Sequence, residues 1–126
     1  MVIVCCALRK LVSLLAAGAD TAKQGVRSMP ILPASDLAAA ATFYTAKLGF
    51  ELAGQWTNDD GTPNFAIVQM GDVTLGLSAS ERDGSGEDWA AYVYVEDIDA
   101  FTDQILGRGV KVLRGPEDSF YHCREV

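Results

Sequence analysis

Residues 35–49 carry the marks of a helix at both ends, and this limits what the flanking chain can be. Ser35 or Asp36 can accept hydrogen bonds from the free N–H groups of a first turn. Leu37, Ala40, Ala41, Tyr44 and Leu48 follow at helical spacing as one apolar stripe, and Gly49 supplies the backbone conformation that ends a helix. Ahead of it, residues 29–34 contain Pro30 and Pro33, which cannot donate to a ladder, so a strand there is expected only at a sheet edge or with its prolines turned away from the ladder. Behind it, residues 50–57 return to strand chemistry with a weak point at Gly54. Residues 58–63 form a dense turn signal, 64–70 the next strand, Gly71-Asp72 a turn, and 73–79 a further strand.

The same order then recurs. Residues 80–88 are charged and glycine-containing without periodicity, as in a linker. Residues 89–95 read as a strand, Asp97 caps a helix whose stripe is Ile98, Phe101 and Ile105, and Gly109 ends it before a strand expected over 110–113. Asp36 matches Asp97, Leu37 matches Ile98, Ala40 matches Phe101, and Gly49 matches Gly109 with a one-residue deletion. After the Gly115-Pro116 turn only residues 119–126 remain for strand, so the second copy is expected to lack its last strand. The strand beside the gap would present unpaired backbone groups, which favours pairing with another chain or segment.

Length and composition agree with one domain of 126 residues, 49% hydrophobic and 21% charged. Net charge is −7, unevenly placed: residues 1–28 hold four basic residues and one acid, net +3, leaving −10 on the rest. An acidic body disfavours a nucleic-acid partner, whose phosphates need Lys and Arg, and favours cationic partners or solubility. Cys5, Cys6 and Cys123 match no disulfide framework or zinc-finger spacing, which suits a reducing, cytoplasmic setting. Arg9 and Lys10 interrupt the apolar leader, so no run reaches the roughly 20 residues of a membrane span. Ala17-Gly18-Ala19 fits a signal-cleavage site, but the residues before the basic pair are themselves apolar, unlike a signal's start. Residues 1–28 are therefore read as an N-terminal extension outside the domain, which could fill part of the gap left by the missing strand, its +3 charge holding it against the acidic body.

Four stretches, PILPASDLAAAATFYTAKLGFEL, FAIVQMGDVTLGLSAS, WAAYVYVEDIDAF and RGPEDSFYHCREV, resemble the glyoxalase/bleomycin resistance/dioxygenase (vicinal oxygen chelate) superfamily in order and spacing. Within it they are most similar to the bleomycin resistance proteins. The resemblance implies an α+β fold of paired βαβββ modules curled into half-barrels. The domain would be 29–126, with module one at 29–80, a linker at 81–88 and a truncated module two at 89–126. It also implies modules from two subunits combining around ligand cavities, hence a homodimer.

Enzymes of that superfamily hold a divalent metal with two ligands from each module. Alignment on the capping aspartates puts three of these positions at Met29, Gly76 and Ala90, and the fourth on the strand module two lacks. Methionine, alanine and glycine offer a hard divalent ion no ligand, so no metal or other cofactor is expected. His122 is the only histidine and reads as a surface group near a terminus. The carboxylates sit mostly in turns and caps, and no catalytic acid/base pair stands out.

Strand alternation places Tyr92 and Tyr94 with Ala90 on one face, and Ala91, Val93 and Val95 beneath the helices. Phe65 and Ile67 share a face on a neighbouring strand, Gly76 and Ser78 leave room, and Trp56 and Tyr121 lie near the rims. The resemblance implies that aromatics at Phe65 and Tyr92 contact a flat heteroaromatic drug, with the acidic body suiting a cation. The implied function is non-enzymatic: an antibiotic resistance protein that binds bleomycin or another aromatic, cationic small molecule in an inter-subunit groove. Two alternatives stay open. One is a metal-dependent or metal-free lyase, isomerase or dioxygenase of the same superfamily. The other is an interaction module completed by strand addition from a partner.

Overall fold

The computed structural model describes residues 2–7, 24–81 and 89–126, with side chains for 24–81 and 90–126. Most of the leader and the expected linker from residue 82 lie outside the described residues. The elements are β1 (Val2–Ala7), β2 (Ile31–Ala34), α1 (Leu37–Thr42), β3 (Glu51–Thr57), β4 (Pro63–Met70), β5 (Val73–Ala79), β6 (Trp89–Tyr94), α2 (Ile98–Gly107), β7 (Glu117–Asp118) and β8 (Arg124–Glu125). Both helices begin as their aspartates require: Asp36 accepts from the Ala39 N–H and Asp97 from the Ala100 N–H, each at 3.0 Å. Both end on a left-handed glycine, Gly49 at φ +85° and Gly109 at φ +79°.

The two helices differ by one residue in length, and the first absorbs it. Asp36 to Gly49 is one step longer than Asp97 to Gly109, and α1 runs on into a π-helical turn over Phe43–Lys47, where the Leu48 N–H reaches back to the Phe43 carbonyl at 3.2 Å. That turn carries Tyr44 inward, fully buried, edge-on to Phe50 with ring centroids 5.6 Å apart. Burial pushes the ionisation of its hydroxyl well above the ordinary tyrosine range.

Among the described residues two four-stranded sheets form, ordered β2-β5-β4-β3 and β6-β1-β8-β7. β2 is an edge strand, one of the two arrangements its prolines allow. Ala66, Val68, Leu75 and Leu77 face inward from β4 and β5 and pack with Leu32, Leu37, Tyr44 and Leu48. Ile105 of α2 enters the same cluster, and Val93 of β6 with Ile98 of α2 forms a second one, the two joined through Met70, Val73 and Phe101. The helix ends are also tied: Lys47 Nζ donates to the Arg108 carbonyl, and Arg108 Nη1 donates to the Lys47 carbonyl at 3.3 Å.

Three features differ from the sequence reading. Residues 110–113 form no strand, because the Val110 N–H is engaged by the Ile105 carbonyl at 3.0 Å in closing α2, while Val110 and Val112 pack on the core. Residues 119–126 are mostly turn, with the Ser119 N–H bound to the Cys123 carbonyl at 2.7 Å and His122 at φ +64°, which leaves only Arg124–Glu125 as strand. Finally, Val2–Ala7, read as part of an extension outside the domain, forms β1 and pairs with β6 and β8. Its apolar run suits a strand with neighbours on both sides better than a free tail.

Candidate functional site

Each sheet turns one face to the core and leaves the other to carry the candidate residues. On the first sheet, register brings Trp56 opposite Phe65, Phe65 opposite Ser78, Ile67 opposite Gly76, and Gly76 opposite Ile31. These alternate with the buried Ala66, Val68, Leu75 and Leu77, which fixes them on the opposite face. The Trp56 and Phe65 rings are 5.8 Å apart and inclined at 54°.

Two glycines let the rings lie down on the sheet. A Cβ at Gly76 would sit 2.9 Å from Phe65 Cζ and 2.5 Å from Ile31 Cδ1, and one at Gly54 would sit 2.7 Å from Trp56 Cη2. Trp56 thus lies back along its own strand, beside a register shift between Leu52 and Gly54. The resulting face is apolar and open: Trp56 is 51% and Ile31 50% exposed.

On the second sheet, Tyr92 and Tyr94 stand 5.1 Å apart, inclined at 58°, with Tyr94 56% exposed. Tyr92 donates to Glu125 Oε1 at 2.8 Å, and Tyr121 from the β7–β8 turn donates to the same oxygen. The bond to Glu125 pushes the ionisation of Tyr121 above the ordinary tyrosine range. Glu125 is only 4% exposed, and these two hydroxyls satisfy a carboxylate that would otherwise be costly to bury. Around it, Arg124 pairs with Asp99 at 3.0 Å and Asp118 at 3.2 Å, and Arg114 pairs with Glu117.

The sequence-derived site residues thus fall into two groups. Trp56, Phe65, Ile67, Gly76 and Ser78 share the first sheet, and Tyr92, Tyr94 and Tyr121 gather on the second. Sequence reasoning missed Ile31 and Glu125. Prolines broke the alternation that would have assigned Ile31 to this face. Glu125 lies in a segment read as strand, but nothing local marked that carboxylate as buried.

The strand register also tests whether the superfamily's metal would fit. Offsetting by the capping aspartates makes Tyr92 the counterpart of Ile31; Ile31 pairs with Gly76, and Tyr92 pairs with Val4 on β1. The fourth ligand position therefore falls on Val4, beside Met29, Gly76 and Ala90 at the others. None of the four offers oxygen or imidazole nitrogen from its side chain, so these residues do not fit a hard divalent ion. Among the described residues, no three His, Cys, Asp or Glu side chains converge as a metal site elsewhere, and no helix is long and apolar enough to cross a membrane.

No curated protein matches the chain. Solved structures do. The bleomycin-binding protein from bleomycin-producing Streptomyces verticillus, complexed with copper(II)-bleomycin, is 28% identical over 68% of this chain, which spans 65% of that protein, with a TM-score of 0.56. TnmS3, an antibiotic binding protein from Streptomyces sp. CB03234, is 25% identical, with 76% of this chain and 79% of that one covered and a TM-score of 0.59. A bleomycin resistance determinant encoded on the transposon Tn5 is 22% identical over 78% of this chain and 82% of its own, with a TM-score of 0.63, which speaks to the fold. The family model for the Glyoxalase/Bleomycin resistance protein/Dioxygenase superfamily matches residues 26–126. The chain belongs to that superfamily.

Proposed function

We propose that this protein is a non-enzymatic binding protein that sequesters an aromatic, cationic small molecule of the bleomycin class. The observation that carries this reading is that each sheet turns paired aromatic rings away from the core, Trp56 and Phe65 laid over glycines on one and Tyr92 beside Tyr94 on the other. Flat rings stack on such a surface, and the buried Glu125 with the −10 charge of residues 29–126 attracts a cation. Likeness to a bleomycin-binding protein and an antibiotic binding protein supports the ligand class. On this reading two copies pair in the cytoplasm so that each groove is walled by both. No bond is made or broken.

Calorimetric titration with metal-free bleomycin tests the reading. Phe65→Ala and Tyr92→Ala are each expected to weaken binding by about 1 kcal/mol or more, roughly fivefold, because each removes a stacking ring. Tyr92→Phe keeps the ring and is expected to retain most of the affinity. Unchanged affinity in both alanine variants would refute the assignment of the groove.

A further inference from the structure

The strand order of the second sheet repeats that of the first, except in where one strand comes from. In the first sheet β2 pairs parallel with β5, β5 antiparallel with β4, and β4 antiparallel with β3. In the second, β6 pairs parallel with β1, β1 antiparallel with β8, and β8 antiparallel with β7. β1 thus holds in the second sheet the place that β5, the last strand of its module, holds in the first.

Register repeats the match residue by residue. Leu32 pairs with Leu77 in the first module, both in the core. Its counterpart by the capping offset, Val93, is also in the core and pairs with Cys5. Pro33 with Ser78 corresponds to Tyr94 with Cys6. A side-chain contact supports the spacing independently. Tyr92 on β6 and Glu125 on β8 flank β1, and their 2.8 Å hydrogen bond reaches across it, a span that fits one intervening strand at about 4.8 Å per step.

We propose that Val2–Ala7 is the last strand of the second module, delivered from the front of the same chain, and that the face of Tyr92, Tyr94, Tyr121 and Glu125 is assembled only with it. The six residues VIVCCA carry no charge and no proline, as a strand paired on both sides requires. Without β1, both β6 and β8 would present open edges, and the sheet would be broken between Tyr92 and Glu125. The proposal stands apart from the identity of any ligand, and its test uses none.

Amide hydrogen exchange on the full chain is the first arm. The Val4, Cys5 and Cys6 amides are expected to be protected on the order of a hundredfold or more over an open chain, in step with those of β6. Exchange at open-chain rates would overturn the proposal. The second arm is an isotope-filtered Overhauser experiment on a sample refolded from equal parts labelled and unlabelled chain. Contacts between Val4 and Tyr92 confined to single chains support delivery from the same chain; contacts found only between chains would overturn it.

Discussion

Tyr44→Ala is expected to cost about 3–5 kcal/mol of stability, the range for removing a large buried aromatic from a core. The residue is fully buried, contacts Phe50 edge-on, and sits in the π-helical turn where the first helix takes up its extra residue. Collapse around the void is limited because Leu32, Leu48, Ala66 and Val68 are themselves packed to 6% exposure or less. Denaturant unfolding followed by circular dichroism measures the loss. Phe43, next in sequence and 39% exposed, is the control: its truncation is expected to cost well under half as much. Equal losses at the two positions would mean that the turn does not direct Tyr44 inward.

The second large effect concerns the open face of the first sheet. Gly76→Val is expected to leave the fold standing and to weaken bleomycin binding by about tenfold or more, roughly 1.4 kcal/mol. The added Cβ would lie 2.5 Å from Ile31 Cδ1 and 2.9 Å from Phe65 Cζ, so both must move off the sheet. Ile31 is half exposed and can swing outward, which keeps the overpacking cost near the low end of about 1–3 kcal/mol. The Phe65 ring cannot keep its place over position 76, and the flat surface is lost. A melting temperature within a few degrees of the wild type with unchanged affinity would show that the ligand does not use this face.

Local signals served well where structure is locally determined. Aspartate caps, glycine stops and the stripe from Leu37 to Leu48 placed both helices, because each signal acts within one turn of chain. Alternation over 64–79 separated Phe65, Ile67 and Gly76 from the core residues between them, since a strand with one buried face must alternate. β1 was not legible in this way. A six-residue apolar run followed by Arg9 and Lys10 reads as a leader, and only its long-range register with β6 and β8 reveals a strand. Val110 and Val112 have strand-forming chemistry, yet closing α2 consumed the backbone donor that a ladder needed there. Glu125 escaped for a related reason. Its burial depends on hydroxyls from Tyr92, 33 positions away, and Tyr121 across the turn.

The central claim, binding without metal chemistry, is tested most directly by thermal denaturation of the metal-stripped protein. It would be titrated with metal-free bleomycin and, separately, with divalent metal ions. Binding to the folded state must raise the melting temperature by mass action. A saturable rise with the drug and none with the ions is expected, given Met29, Gly76, Ala90 and Val4 at the aligned ligand positions. A rise with a metal ion alone would contradict it, since these four side chains have nothing with which to hold one.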